Sequence, residues 1–348
     1  MLVTDARIAA IKRNIELKKE PTISAFVMCE KEARWHLNDP CHAPDEWYVP
    51  LRYVDNEAHQ KAKKCLHDDA NNAYKMALIY RLTGDEKYGL AAVKLINGWA
   101  TTVQSFSDKD DSRLAFSYHM PAMIFAADLL RDSPLFPKPD QDRFGSFLKE
   151  KGLAMTTMND PAHNNGVDWG LLFYLSTALY LHDETMVHTA LDRYKTDIDE
   201  QIKPDGILSS EITRNNSTGD AGYWYTNFAL MPLTICTELF RIHGIDLYDY
   251  VSPKGGGLHK AYDKIADLME NPASYPFGTL YKSKLPHSLD QTFYAGYFEI
   301  LNTRWPNREI STVLAGRRPW DPDHSLPATT LAYGDLKVPD GSATPVAE

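Results

Sequence analysis

Apolar residues recur at helical spacing along most of this chain, and that period constrains its fold more than any other feature. The stretch Ala70 to Leu82, ANNAYKMALIYRL, puts Ala73, Ala77 and Tyr80 on one face. It breaks at Gly84. Asp85 can cap the next run, in which Tyr88, Ala91, Ala92, Leu95 and Trp99 repeat the period. A polar SDKDDS separates these from a third run, Arg113 to Leu130, where Pro121 either starts a new helical stretch or kinks the old one. Pro134, Pro137 and Pro139 mark a loop. Gln141 to Met158, Trp169 to Leu181, Glu184 to Ile202, Trp224 to His243, His259 to Glu270 and Ser288 to Leu301 continue the helical series.

About ten helices of roughly 15 to 25 residues, with no strand series, predict an all-α fold. The helices pair without a repeat signature, which excludes a TPR or ankyrin array. Antiparallel pairs curling round a centre, an incomplete α/α toroid, fit the count. A helical bundle or solenoid is the alternative. The expected organisation is one toroid domain over residues 1–325 and a loosely held tail over 326–348, rich in Pro, Asp, Gly and Ala.

Of the 348 residues, 43% are hydrophobic and 24% charged, ordinary for a soluble globular chain. No apolar run approaches the ~18 residues of a membrane span. The start lacks the apolar core of a signal peptide, so an extracellular or periplasmic location requires a leader trimmed from this numbering. Lys and Arg total 37 against 47 Asp and Glu, a formal charge of −10. That demotes nucleic acid as a partner, but a polyanion fits if basic groups cluster in one cleft. Four cysteines without a CxxC pair make neither a disulfide scaffold nor a zinc-thiolate site. Reduced thiols are favoured over a Cys29–Cys41 bridge. Nucleotide, metalloprotease and hydrolase-elbow motifs are absent, and the histidines have no metal-ligand spacing, so no cofactor is expected. Gly255-Gly256-Gly257 reads as a turn rather than a phosphate cradle.

Three segments interrupt the apolar pattern with polar and aromatic groups. His163-Asn164-Asn165-Gly166-Val167-Asp168-Trp169 offers two adjacent amides ahead of a helix, or simply a helix cap. Arg214-Asn215-Asn216 through Tyr223-Trp224-Tyr225 offers aromatic faces for a sugar ring and phenols for proton exchange, or simply helix-start packing. Tyr118-His119 lies inside a helical run, where a structural histidine is the bland alternative. Asp68-Asp69 are adjacent on a helix, about 100° apart, and suit a helix N-terminal turn better than a facing acid pair.

At these segments the chain resembles the alginate-lyase superfamily of α/α-toroid polysaccharide lyases, over roughly Trp47 to Arg304. Trp47-Tyr48-Val49-Pro50 with DDANNAYKMALIYRLTGDEKY and KLINGWA is similar to the superfamily's N-terminal helical pattern. Asn164-Asn165 with Trp169 looks like its Asn-Asn-His-x-x-Trp segment. Tyr225-Thr226-Asn227-Phe228-Ala229-Leu230-Met231-Pro232-Leu233 through Glu238 resembles its Tyr-His-x-x-Ala-x-x-Pro-Leu…Glu helix, whose leading Tyr is catalytic. Polysaccharide lyase families five and thirty-eight are nearest in pattern. The chain departs from them at Gly166, where the family has His, and at Thr226. The family-five arginine about two turns before the Tyr has no match at that spacing. Arg214, eleven residues upstream of Tyr225, is the nearest candidate.

The resemblance implies β-elimination at a 4-linked uronate, without a cofactor and with an anionic polysaccharide as partner. It implies Tyr225 as base and acid, with Asn165 and Arg214 neutralising the carboxylate and His119 or His163 standing in for the lost histidine, His119 preferred. Asn164, Trp169, Tyr118, Tyr223 and His163 are expected to contact substrate. A nearby arginine is expected to lower the phenol from its usual ~10. Two rivals remain. A glycoside hydrolase on the same toroid would need opposed carboxylates, for which Glu211, Asp220 and Asp290 are loose candidates. A non-catalytic protein would bind glycans without consuming them.

Overall fold

The structure, a computed structural model, describes residues 1–212, 214, 221–270, 296–320 and 326–336. Asp220, Asp290 and residues 337–348 lie outside them, as does most of the Arg214–Tyr223 loop. Four long helices begin at sequence signals. Asp55 caps α3 (Asn56–Thr83) by accepting the Ala58 N–H at 2.9 Å, and Gly84 ends it at φ +76°. Asp85 then caps α4 (Glu86–Thr102). Asn164 caps α7 (Asn165–Leu181), and Asp183 caps α8 (Glu184–Gln201). An N-cap oxygen satisfies one N–H that the first turn leaves orphaned. The remaining helices are α1 (Asp5–Glu16), α2 (Thr22–Trp35), α5 (Ser112–Leu129), α6 (Lys138–Glu150), α9 (Ser209–Ile212), α10 (Ala221–Ile242), α11 (Leu258–Glu270), α12 (Phe298–Arg304), α13 (Arg308–Arg317) and α14 (Thr329–Tyr333). Two-residue strands β1 (Glu46–Trp47) and β2 (Ser105–Phe106) pair in parallel.

Burial separates inner from outer helices. In α5, 15 of 18 residues are buried, whereas α8 buries only Val187, Ala190, Tyr194, Asp197, Ile198 and Gln201 along one stripe. A helix apolar all round belongs inside, and one with a single stripe belongs on the outside. The inner helices α3, α5, α7 and α10 pack in that order, with α4 against α3 and α8 against α7. They run the same way. At their C-terminal ends, Arg81 of α3 donates to the Leu129 carbonyl of α5, and Arg131 donates to the Tyr180 carbonyl of α7. Their N-terminal ends therefore gather on the opposite side. This is the α/α toroid the sequence predicts.

Three expectations need correction. Asp68 and Asp69 are not at a helix start; α3 begins at Asn56, and its polar first half hides the period. Asp69 is buried and takes the His42 backbone N–H at 2.7 Å and the Trp99 indole N–H at 2.8 Å, with His42 Nδ1 2.8 Å from its other oxygen. It ties the segment before β1 to α3 and α4. Secondly, the tail does not loosen at 326. Leu326, Leu331, Ala332 and Tyr333 are buried, Arg7 donates to the Ala332 carbonyl, and Tyr333 donates to the Leu2 carbonyl. Thirdly, Pro121 does not start a helix, because α5 runs through it. No disulfide joins any of the four cysteines. The glycine run is a turn, in which a Cβ at Gly256 would lie 2.0 Å from the Ile202 carbonyl oxygen at the end of α8.

Asp69→Ala is expected to destabilise the fold by about 3 kcal/mol or more, since each buried donor left unpaired costs about 1–3 kcal/mol. Chemical denaturation checks this. A loss below about 0.5 kcal/mol, typical of surface changes, would contradict the anchoring role.

Candidate active site

The N-terminal ends of the inner helices carry a continuous series of ring contacts. On α3, His67 meets His119 of α5 edge-on, with ring centroids 5.0 Å apart. Tyr118 touches His119 at 4.4 Å and Trp169 of α7 at 6.0 Å. Trp169 lies 5.1 Å from Phe228 of α10, which stacks on Trp224 at 5.0 Å, and Trp224 meets Tyr225 at 4.6 Å. The residues singled out on α5, α7 and α10 thus share one wall.

Asn165, Arg214 and Tyr225 are connected through Glu211. The Glu211 carboxyl accepts the Asn165 backbone N–H at 2.7 Å, and Asn165 Nδ2 lies 2.9 Å from its other oxygen. Glu211 precedes Arg214 by three residues in the sequence, and the Arg214 guanidinium stands 4.6 Å from the Tyr225 ring centroid. From the other side, the Tyr53 hydroxyl hydrogen-bonds the Tyr225 hydroxyl. Arg52, beside it, lies 5.7 Å from the Trp224 ring. The strap that carries them is pinned to the start of α5. Asp111 accepts the Arg52 N–H at 2.8 Å, and the Val49 N–H reaches the Ser112 hydroxyl at 2.9 Å.

Tyr225 is pushed up to about 12, by burial first and then by its bond to Tyr53; Arg214 and Arg52 pull it down by less. The expected lowering by arginine is therefore reversed in net effect. Behind the wall lies a buried acid cluster. Asp168 is held well above the carboxylate range by burial and by neighbouring Asp197. Asp197 is also raised by burial, although Arg193 at 2.9 Å and His163 at 2.7 Å hold it.

Several expected substrate contacts are not at the surface. Trp169 and Tyr223 are fully buried, so each packs the wall rather than meeting a sugar. His119 is 1% exposed and Tyr118 5%, as buried as Asn165 at 3%, and His67 packs edge-on against His119. His163 leans on Asp197 of outer helix α8. Asn164 spends its Oδ1 on capping Gly166 N–H at 2.9 Å. A Cβ at Gly166 would sit 3.2 Å from that same oxygen, which favours a residue without one where the family carries His. The sequence reading did not single out Arg52, Tyr53 or His67. Exposure of Tyr53, at 75%, carries no sequence signal beyond an aromatic in a polar loop. Among the described residues, no group of three or more His, Cys, Asp or Glu is placed to hold a metal, and no helix is long and apolar enough to cross a membrane.

The chain is similar to known proteins in sequence and in fold. An alginate lyase of Pseudomonas syringae pv. tomato is 21% identical over 241 residues, covering 66% of this chain and 62% of that protein. A polysaccharide lyase of Stenotrophomonas maltophilia is 34% identical over 85 residues, 24% of each. The chain thus aligns with less than two thirds of either relative's length. An alginate lyase structure from Bacteroides ovatus superposes with a TM-score of 0.72 at 16% identity, covering 97% of this chain and 99% of that one. Alginate lyase A1-III from Sphingomonas species A1 gives 0.75 at 18% identity, covering 95% and 97%. A variant of A1-III complexed with a tetrasaccharide gives 0.73 at 19%, covering 95% and 96%. At such identities the likeness is one of fold. The alginate lyase family itself matches residues 21–275, well over half of the sequence, and the chain belongs to that family.

Proposed function

We propose that this protein is a polysaccharide lyase that cleaves a β-1,4-linked polyuronate, mannuronan or glucuronan, by syn β-elimination. The observation that carries this reading is the Tyr225 side chain itself, with the Arg214 guanidinium over its ring and Tyr53 bonded to its hydroxyl, and with Asn165 joined to the Arg214 segment through Glu211. The tetrasaccharide bound by a relative of the same fold supports a polysaccharide as substrate.

The chemistry has two demands. The proton on C5 of a uronate is very weakly acidic, so its carboxylate must be neutralised as negative charge develops. Arg214 and Asn165 supply a cation and an amide donor. The helix N-termini gathered on this side add positive potential to a chain whose net charge is −10. Tyr225, as phenolate, then takes the C5 proton. The C5–H electrons form the C4=C5 double bond, the C4–O4 bond breaks, and the phenol returns its proton to O4. A phenol at about 12 is mostly protonated at neutral pH, but its phenolate is a strong base, suited to so weak an acid. Tyr53 is positioned to take the Tyr225 proton and exchange it with solvent. In β-mannuronate and β-glucuronate the C5 hydrogen and O4 lie on the same side, so a single Tyr suffices for both transfers.

The hydrolase alternative is not favoured. Both Glu211 oxygens are occupied by Asn165 in a fully buried position, out of reach of a glycosidic bond. The test is incubation with mannuronan, glucuronan and guluronan, each with and without exhaustive chelation. Ultraviolet-absorbing unsaturated ends from the first or second polymer, with activity undiminished by chelation, are expected. Saturated products, or activity that calcium restores after chelation, would contradict the reading.

A further inference from the structure

At the ends of the inner helices opposite the cleft lies a cavity of about 330 Å³ that the elimination does not use. Small-molecule sites occupy about 300–1,000 Å³, so it has room for a ligand. One side is a single face of α6, on which Lys138, Gln141, Gly145, Ser146 and Lys149 recur every three or four residues. Arg131, just past the end of α5, and Tyr180, Leu181 and His182, at the end of α7, close the others. Asn165 and Tyr180 stand at opposite ends of α7, about 22 Å apart along its axis, so the cavity is no extension of the cleft. With the choice of ligand resting on the lyase reading, we propose that this cavity binds one uronate unit of an acidic oligosaccharide, as a second site that does no chemistry.

A uronate ring presents a carboxylate at one end, hydroxyls round its rim and C–H groups on its faces. The cavity has a match for each. Its lining carries three cations, Arg131, Lys138 and Lys149, against one carboxylate, Asp142, in a chain whose net charge is −10. Lys138 pairs with Asp142 at 2.6 Å, and the two offset each other. Lys149, exposed on the last turn of α6, makes no ion pair among the described residues. Arg131 is held ready for a carboxylate. It donates to the Tyr180 carbonyl at 2.9 Å, its guanidinium lies 4.4 Å from the Tyr180 ring centroid, and Asp128 stands 3.5 Å from its Nε. A guanidinium has five N–H donors, so these partners do not exhaust it.

Carbonyls at helix C-termini repel anions. Here they are covered: Arg131 takes the Tyr180 carbonyl, and the Gln141 amide takes those of Arg131 and Phe136, each at 2.8 Å. Ser146 and His182, both exposed at the rim, offer a hydroxyl and an imidazole to sugar hydroxyls. His182 holds its ring there from left-handed backbone, φ +54°, where a helix end more often has glycine. Tyr180 is 4% exposed, so with Leu181 it forms an apolar back wall rather than a stacking face. Gly145 lets α6 close on that wall, since a Cβ there would lie 3.3 Å from Leu181 Cδ2.

The experiment follows backbone amides by NMR as a saturated mannuronate trisaccharide is added to the full chain carrying Tyr225→Phe, which prevents turnover. Two separate sets of shifted signals are expected, one at the cleft and one at Ser146, Lys149 and His182. Added to that background, Lys149→Glu is expected to weaken binding at the second set by about tenfold or more, the worth of a charged hydrogen bond. Ser146→Trp, which fills the cavity, should do the same. Both should leave the cleft within about twofold, as for distant sites. Each replaced side chain is exposed on α6, and thermal melting checks that the fold is kept. The carboxyl-reduced, neutral trisaccharide and inorganic phosphate are each expected to bind the cavity about tenfold more weakly than the acidic sugar, since one lacks the charge and the other the ring. Silence at Ser146, Lys149 and His182 once the cleft is saturated would overturn the inference. So would shifts there that neither substitution weakens, or neutral sugar or phosphate bound as tightly as the uronate. A wild type that yields no unsaturated ends from any polyuronate would sink the lyase reading alone, because the titration needs no turnover.

Discussion

Tyr225→Phe is expected to lower kcat by ~10⁴-fold or more while oligouronate binding changes little. General acid–base groups contribute about 10²–10⁴-fold, and here one hydroxyl serves both proton transfers. The substitution keeps the ring that packs on Trp224 and under Arg214, so the wall and the start of α10 survive. The lost group is needed in the transition state rather than for binding, which places the effect in kcat. Steady-state kinetics on the cleaved polymer, beside calorimetry of an oligomer with the Phe variant, make the comparison. Retention of more than about a tenth of wild-type kcat would move the base elsewhere, first to Tyr53, which bonds the Tyr225 hydroxyl.

Asn165→Ala is expected to lower kcat/KM by about 10²–10³-fold, the usual cost of removing one donor to developing negative charge. Unlike the tyrosine change, it should also weaken substrate affinity, because the ground-state carboxylate loses a partner. The helix is not at risk. Asn164, not Asn165, caps α7, and alanine is a good helix former. Removing the amide leaves the backbone N–H to Glu211 intact. The kinetic constants of the Ala variant, read beside its melting temperature, check this. A variant with unchanged melting and kcat/KM within about threefold of wild type would show that Asn165 does not face the substrate.

Local signals made the helices legible. Gly84 and Asp85 end one helix and begin the next within two residues, because a left-handed cap and a side-chain cap act through nearest neighbours. The first half of α3 was not legible, since a segment lined with Lys, His and Asp lacks an apolar stripe. Helices α1 and α2 bury few and mostly small or polar residues, Arg7, Ile8 and Ile11 in one and Thr22, Ala25, Cys29 and Ala33 in the other, so the helical spacing in α2 makes no apolar stripe. Tyr223 and Tyr225 look alike in sequence, but two residues along a helix turn them to different faces. One is buried in the core, and the other reaches Tyr53. The partners of Tyr225 come from distant segments. Tyr53 is 172 residues away, and no periodicity encodes such a contact. Asn165 and Arg214 were singled out for their chemistry, but the carboxyl that joins them was weighed only as a hydrolase acid. Its real surroundings depend on α9 folding back onto the start of α7.

Deuterium at C5 of the uronate tests the central claim most directly. On C5-deuterated mannuronan or glucuronan, the account predicts slower turnover than on the protiated polymer. It also predicts unsaturated ends that have lost the C5 deuterium, as read by mass. Chains cut to saturated ends that keep deuterium at every C5 would contradict it, because that bond would never have been broken.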